Sequence, residues 1–206
     1  MRKWIGISCV LLGVLCILSA IGFIAYNQWE DKNAEKIAQD ILVDVQSIID
    51  ETLPEQTLPD ETIVLPDDVE NIPVEMATVK VGGYDCIGIL SVPVLNLELP
   101  VLTDWSYAKL KKAPCHYYGS YFEKDFVIAA HNYQSHFGRL SELQAGDIVI
   151  FTDTSGTDHY YKVVLLETLP ATATEEMITS GFDLSLYTCT PGGANRVTVR
   201  CSAITQ

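Results

Sequence analysis

Leu184-Ser185-Leu186-Tyr187-Thr188-Cys189-Thr190-Pro191-Gly192-Gly193-Ala194-Asn195-Arg196-Val197-Thr198-Val199-Arg200 is the stretch from which this chain is best read. Two β-rich runs flank Pro191, Gly192 and Gly193. A turn that short makes the two runs antiparallel neighbours. In the second run Val197 and Val199 alternate with Thr198 and Arg200, the period of a strand with one buried face. Cys189 closes the first run and Arg196 opens the second, so both belong near the same end of one sheet.

Outward from this pair the pattern repeats. Residues 86–92, 95–102, 126–130, 148–153, 159–169, 185–190 and 196–202 are rich in Val, Ile, Tyr and Thr, and Gly, Asp, Ser and Pro clusters separate them. Short helical turns are expected at 105–112, 139–143 and 174–179. Many short strands with few helices predict an all-β domain over 76–206, a closed or nearly closed barrel that protects its strand edges. There is no internal repeat.

A third segment carries chemistry. In Val127-Ile128-Ala129-Ala130-His131-Asn132-Tyr133 a buried strand delivers a histidine at its exit. A cysteine thiolate is a nucleophile, an imidazole can activate it and later protonate a leaving amine, and a fixed guanidinium can balance charge on an attacked carbonyl oxygen. Cys189, His131 and Arg196 are the candidates for these roles. Arg200 is the runner-up for the cation, on the same strand face as Arg196 but two alternation steps, four residues, further from the turn. Tyr133, Tyr187 and Thr188 are candidate substrate-binding residues, and the segment 170–183 is expected to line the groove.

The other reactive residue types read differently. Cys86 and Cys201, inside apolar strands, are expected to be small buried hydrophobes. Cys115 is open, as a structural thiol or a pairing partner. No CxxC pair exists, and His131 and His136 lack a metal-ligand spacing. His116 and His159 read as ordinary strand or loop histidines. No metal and no cofactor are expected.

The net charge of −14 is unevenly spread. Residues 27–75 carry fourteen acids against two lysines, so the acidity belongs to a stalk rather than to the domain. No clustered basic face is present, which argues against a nucleic-acid partner. Before the stalk, residues 4–26 are uncharged, long enough for a helix to span a ~30 Å hydrocarbon core. Arg2 and Lys3 precede them, which predicts a single-pass anchor over 1–26 with the rest of the chain outside the cell. A cleaved signal peptide fits less well, because the apolar run exceeds ~7–15 residues and no clean Ala-x-Ala site follows.

In the stalk Ile37, Ile41, Val45 and Ile48 recur at helical spacing, which predicts an amphipathic helix, either a self-associating stem or a strip packed on the domain. Pro54, Pro59, Pro66 and Pro73 then predict an extended spacer that lets the domain reach away from the membrane. The spacer holds Leu53-Pro54-Glu55-Gln56-Thr57 and Leu58-Pro59-Asp60-Glu61-Thr62, read as linker composition.

The domain resembles the sortases. The family's cysteine motif, Thr-Leu-x-Thr-Cys followed by a strand-initial Arg, is similar to Ser185-Leu186-Tyr187-Thr188-Cys189 and Arg196, with Ser in place of the first Thr. The family's strand-end histidine is similar to Ala130-His131-Asn132. Ile87-Gly88-Ile89-Leu90-Ser91-Val92-Pro93 and Gly146-Asp147 add to the likeness, which covers residues 76–206. The resemblance implies an eight-stranded β-barrel and a two-step transpeptidation. Cys189 would attack a Leu-Pro-containing sorting signal of the Leu-Pro-x-Thr-Gly kind, and His131 would protonate the departing amine. Arg196 would hold the carbonyl oxygen. The partners implied are surface proteins bearing the signal and an amine nucleophile from a cell-wall precursor or another protein, at a Gram-positive cell surface. Only residues 201–206 follow Arg200, the spacer has no Asp-Pro-aromatic motif, and the loop before the Cys189 strand is short, so a compact class A- or D-like member is expected. A thiol hydrolase using the same Cys-His pair and a non-catalytic peptide-binding surface module are the competing readings.

Overall fold

The computed structural model describes residues 2–52 and 75–204. The linker residues 53–74, with the two Leu-Pro segments, lie outside the described residues.

The domain is one sheet rolled shut. Nine strands follow in chain order: β1 (Val79–Val81), β2 (Tyr84–Val92), β3 (Leu97–Leu102), β4 (Cys115–Tyr118), β5 (Phe126–Ala129), β6 (Ile148–Asp153), β7 (Asp158–Pro170), β8 (Leu184–Cys189) and β9 (Asn195–Ala203). The lateral order β2-β3-β4-β5-β8-β9-β7-β6 closes when β6 pairs back onto β2, from Gly88↔Asp153 to Ser91↔Ile150. Eight strands therefore form the barrel. β1 stands outside the ring as a short hairpin arm on the start of β2.

Closure depends on Gly88. β2 changes partner here, passing from β1 to β6, and its register with β3 shifts between Cys86 and Gly88. The backbone has φ +152°, and a Cβ would lie 2.2 Å from the Thr152 carbonyl oxygen, so only glycine lets the two strands meet. Inside the ring Phe126, Ile128, Phe151, Leu184, Leu186, Val199 and Cys201 form the core.

The N-terminal segment is one continuous helix, α1 (Arg2–Thr52). Its first half is apolar and exposed, from Val10 to Tyr26, and by length and composition it is a candidate membrane span. Its second half resolves the stem-or-strip alternative in favour of the strip. Ala34, Ala38, Ile41, Leu42, Val45 and Ile49 are buried, one stripe at helical spacing. Ile41, Leu42, Val45 and Ile49 pack with Val81, Cys86, Ile89, Leu102 and Cys115 on the outside of the barrel. Each buried aliphatic side chain contributes about 1.5–3 kcal/mol to that docking. The distance from the apolar half of α1 to the barrel is thus set by helix, ahead of residues 53–74.

Two further helices are short, α2 (Tyr107–Leu110) and α3 (Thr174–Ile178). The first is capped by the Ser106 hydroxyl, which accepts from Lys109 N.

Candidate active site

Three adjacent strands carry the three candidate residues. Cys189 ends β8, and its direct antiparallel partner on β9 is Arg196. On the other side β8 runs parallel to β5, with Ala129 level with Tyr187. Continuing that register two residues brings His131 level with Cys189, on strands that lie ~4.8 Å apart in a sheet. Two bonds extend the pairing past the end of β5. Ala130 N donates to the Tyr187 carbonyl (3.2 Å), and the Thr188 hydroxyl donates to the Ala130 carbonyl (2.9 Å). The order across the sheet is His131, Cys189, Arg196.

The turn after Cys189 is tight. Thr190 N donates to the Asn195 carbonyl (2.9 Å) and Gly193 N to the Thr190 carbonyl (2.8 Å). Gly192 and Gly193 have φ of +83° and +76°, which suits glycine at both positions. The Arg196 guanidinium folds onto this turn, with Nη1 donating to the carbonyls of Gly193 (3.0 Å) and Asn195 (3.1 Å). Nε and Nη2 have no protein acceptor among the described residues.

Cys189, Arg196 and Tyr187 line one cavity of about 120 Å³. One wall is the β3–β4 connection and β4, with Trp105, Tyr107 and Tyr117; the other is the end of β7 and the segment after it, with Pro170, Thr174 and Met177. Tyr117 meets Tyr187 edge-on at 5.4 Å and Trp105 at 5.6 Å, so the wall is an aromatic cluster. Burial, and then the neighbouring Tyr117, raise the Tyr187 phenol well above its ordinary range.

His131 is half-buried, with its ring stacked on Tyr133 at 4.0 Å and 17°. Its Nδ1 is buried and has no hydrogen-bond partner in the described structure. Burial lowers its pKa first and the Lys111 ammonium adds to this, while the Glu30 and Asp31 carboxylates oppose both. The loop behind it is wound tightly: Phe137 N donates to the His131 carbonyl (3.2 Å), and Gly138 N to the Tyr133 carbonyl (2.8 Å). A Cβ at Gly138 would lie 2.6 Å from the Tyr133 carbonyl oxygen.

Three expected residues fall elsewhere. Thr188 is 3% exposed and spends its hydroxyl on Ala130, so it braces β8 against β5 and does not line the cavity. Tyr133 is 8% exposed and lies behind His131, beside Asn27, Glu30 and Asp31 of α1. Arg200 shares the outer face with Arg196, as the alternation predicts, but it is spent on structure. Its Nε donates to Glu167 (2.7 Å), Nη1 to Ser185 Oγ (2.8 Å) and Nη2 to the Glu176 carbonyl (2.7 Å). Arg200 therefore ties α3 to the barrel.

Cys86, Cys115 and Cys201 are free and buried, and burial pushes their thiols up to about 11, 12 and 12. Cys189 is the one free cysteine of the domain that is not buried. His116 is held by the carbonyls of Thr103 and Gly119, and His159 pairs with the buried Asp153 carboxylate at 2.9 Å. Sequence reasoning missed Trp105, Tyr107 and Tyr117, whose signal was aromatic side chains in a turn-rich segment.

No curated protein matches the chain at a significant level. Among solved structures it is similar to a Clostridium perfringens sortase D5 transpeptidase, with 18% identity, TM-score 0.52 and coverage of 59% of this chain and 80% of that one. It is similar to a group B Streptococcus pilus island 1 sortase C2, with 26% identity, TM-score 0.52 and coverage of 58% and 74%. A sortase C from Clostridium perfringens SM101 matches over 86% of this chain and 90% of its own, with 21% identity and TM-score 0.50. These likenesses span two classes, so they speak for the family and not for a class. The sortase domain model matches residues 90–204, more than half of the chain and every strand from the closing β2–β6 seam onward. The barrel and the family model agree, and this chain belongs to the sortase family of cysteine transpeptidases.

Proposed function

We propose that Cys189, His131 and Arg196 carry out the transpeptidation on a Leu-Pro-x-Thr-Gly-like sorting signal. The observation that supports this most is the backbone order of three neighbouring strands, in which the position of Cys189 falls between those of His131 and Arg196. Cys189 gives its proton to His131 as its sulfur attacks the scissile carbonyl carbon. The negative charge that moves to the carbonyl oxygen is met by Arg196, whose Nε and Nη2 are uncommitted. The C–N bond breaks, His131 returns the proton to the departing amine, and a thioester remains on Cys189. An amine acceptor then attacks the thioester, His131 takes its proton, and the thiol is restored.

The aromatic wall of Trp105, Tyr107, Tyr117 and Tyr187 offers ring faces to the apolar Leu-Pro part of the signal. A compact, class A- or D-like type is the subclass we favour, and the single five-residue helix between β7 and β8 supports it. The exposed apolar half of α1 anchors it in the cell membrane with the barrel outside, where signal-bearing surface proteins and a cell-wall amine are within reach.

The test is incubation of the full chain, in detergent, with a panel of Leu-Pro-x-Thr-Gly-like peptides and an amine acceptor, beside Cys189→Ala. The expected result is a ligated product, seen by mass spectrometry, that vanishes in the variant. Cleavage with no ligation would favour the hydrolase. Products that persist without Cys189 would sink the assignment.

A further inference from the structure

Glu30 and Asp31 belong to α1, in a run of charge whose composition reads as solvated stalk. Both are spent on the barrel. The Glu30 carboxylate accepts from the Lys111 ammonium at 2.6 Å. The Asp31 carboxylate accepts the backbone N–H groups of Gln134 and Ser135, each at 3.2 Å, and the Ser135 hydroxyl as well. That hydroxyl also reaches the Asp31 carbonyl at 3.4 Å. Bonds to an ionised carboxylate are about twice as strong as neutral ones. Three of them from one side chain fix a loop far better than scattered surface contacts.

The loop so held runs from His131 to Gly138. Tyr133 is at its centre, accepting from His136 N (3.0 Å) and Gly138 N (2.8 Å), and its ring carries the His131 ring at 4.0 Å. The links run Asp31, the peptide groups of 134–135, Tyr133, His131.

We propose that Asp31, on the membrane-anchor helix, is a positioning residue for His131, holding the 131–138 loop so that the imidazole stays level with Cys189. This rests on the reading of His131 as the acid/base. The charged groups facing His131 are Lys111 from the barrel and Glu30 and Asp31 from α1, and of these Asp31 alone bonds the loop backbone.

The test uses the full chain in detergent micelles, labelled with ring-¹³C histidine, its four histidines assigned by single replacements. In the wild type the stacked Tyr133 ring shifts the His131 ring proton upfield. Asp31→Ala should release that shift and lower kcat on the best peptide of the panel by ~10–100-fold, with KM nearly unchanged. Asp31→Asn keeps an acceptor oxygen but not the charge. It should retain part of kcat while the His131 titration moves to lower pH. Val45→Ala, about four turns from Asp31 along the same helix and away from the loop, should leave both the His131 signal and kcat as in the wild type. The inference is overturned if Asp31→Ala leaves the His131 signal in place, or if Val45→Ala reproduces its effects. His131→Ala separates the two layers: wild-type turnover there would remove the acid/base reading, whereas an inactive His131→Ala beside an unaffected Asp31→Ala would remove the role of Asp31 alone.

Discussion

Cys189 and Arg196 are direct register partners across the β8–β9 ladder, each at the end of its strand next to the turn. A cation held there by backbone carbonyls needs no reorganisation when charge develops on a bound carbonyl. Arg196→Ala should lower kcat by about 10²–10³-fold. Arg196→Lys should recover only part of this, because an ammonium keeps the charge but not the planar fork. Steady-state kinetics on the ligation reaction check both.

Gly88 should tolerate no side chain. A Cβ would sit 2.2 Å from a backbone oxygen of β6, where the barrel closes, and neither strand can give way without breaking the seam. Gly88→Ala should cost about 3 kcal/mol of folding stability. The denaturation midpoint should fall with little change in m-value.

His136 should make the fold acid-sensitive. It is fully buried, neither ring nitrogen has a partner among the described residues, and burial pushes its pKa down to about 4. The unfolded chain binds a proton at its ordinary ~6.5, so between the two values the unfolded state holds more protons. The stability of the neutral, buried ring is complete above pH ~6.5 and falls as the pH drops toward about 4. His131, lowered in the same direction, adds to this slope. The loss should reach about 3 kcal/mol. In His136→Phe, melting temperature measured against pH should be flatter over that window.

Arg200 should act on binding through α3. Removing the buried guanidinium leaves the half-buried Glu167 without its partner and frees the Glu176 carbonyl and the Ser185 hydroxyl, which loosens α3 from the barrel. In Arg200→Met the amides of Thr174–Ile178 should exchange faster with solvent. KM should rise more than kcat falls, because Thr174 and Met177 line the cavity while Arg200 is outside its lining and reaches it only through Met177.

Much of this was legible in the chain itself. Strands expected at 148–153 and 196–202 appear at Ile148–Asp153 and Asn195–Ala203, because strong alternation and flanking turn residues fix them. β1 (Val79–Val81) and β4 (Cys115–Tyr118) were missed. The first is three residues long, and the second mixes cysteine, histidine and tyrosine with no apolar period. At the site, the strand ends of Cys189 and Arg196 followed from one turn. Tyr133 and Thr188 were misplaced because neighbours in sequence need not share a face: Thr188 points away from the cavity for the same period-2 reason that Cys189 and Tyr187 point into it. Asp31 could not be found, since an acid in an acidic helix carries no mark of a partner a hundred residues away.

The unbroken course of α1 has a mechanical consequence. Tyr26, at the end of the apolar run, and Asp31, on the His131 loop, are five residues apart on one helix, a rise of about 7.5 Å. With the apolar half in a bilayer, that rise fixes the altitude of the His131 end of the barrel, just above the headgroups. Each residue inserted between Tyr26 and Asp31 would lift the barrel by ~1.5 Å and swing it by ~100° about the helix axis. With its apolar half in a bilayer the helix would work as a gauge, its length setting the height of the barrel above the lipid.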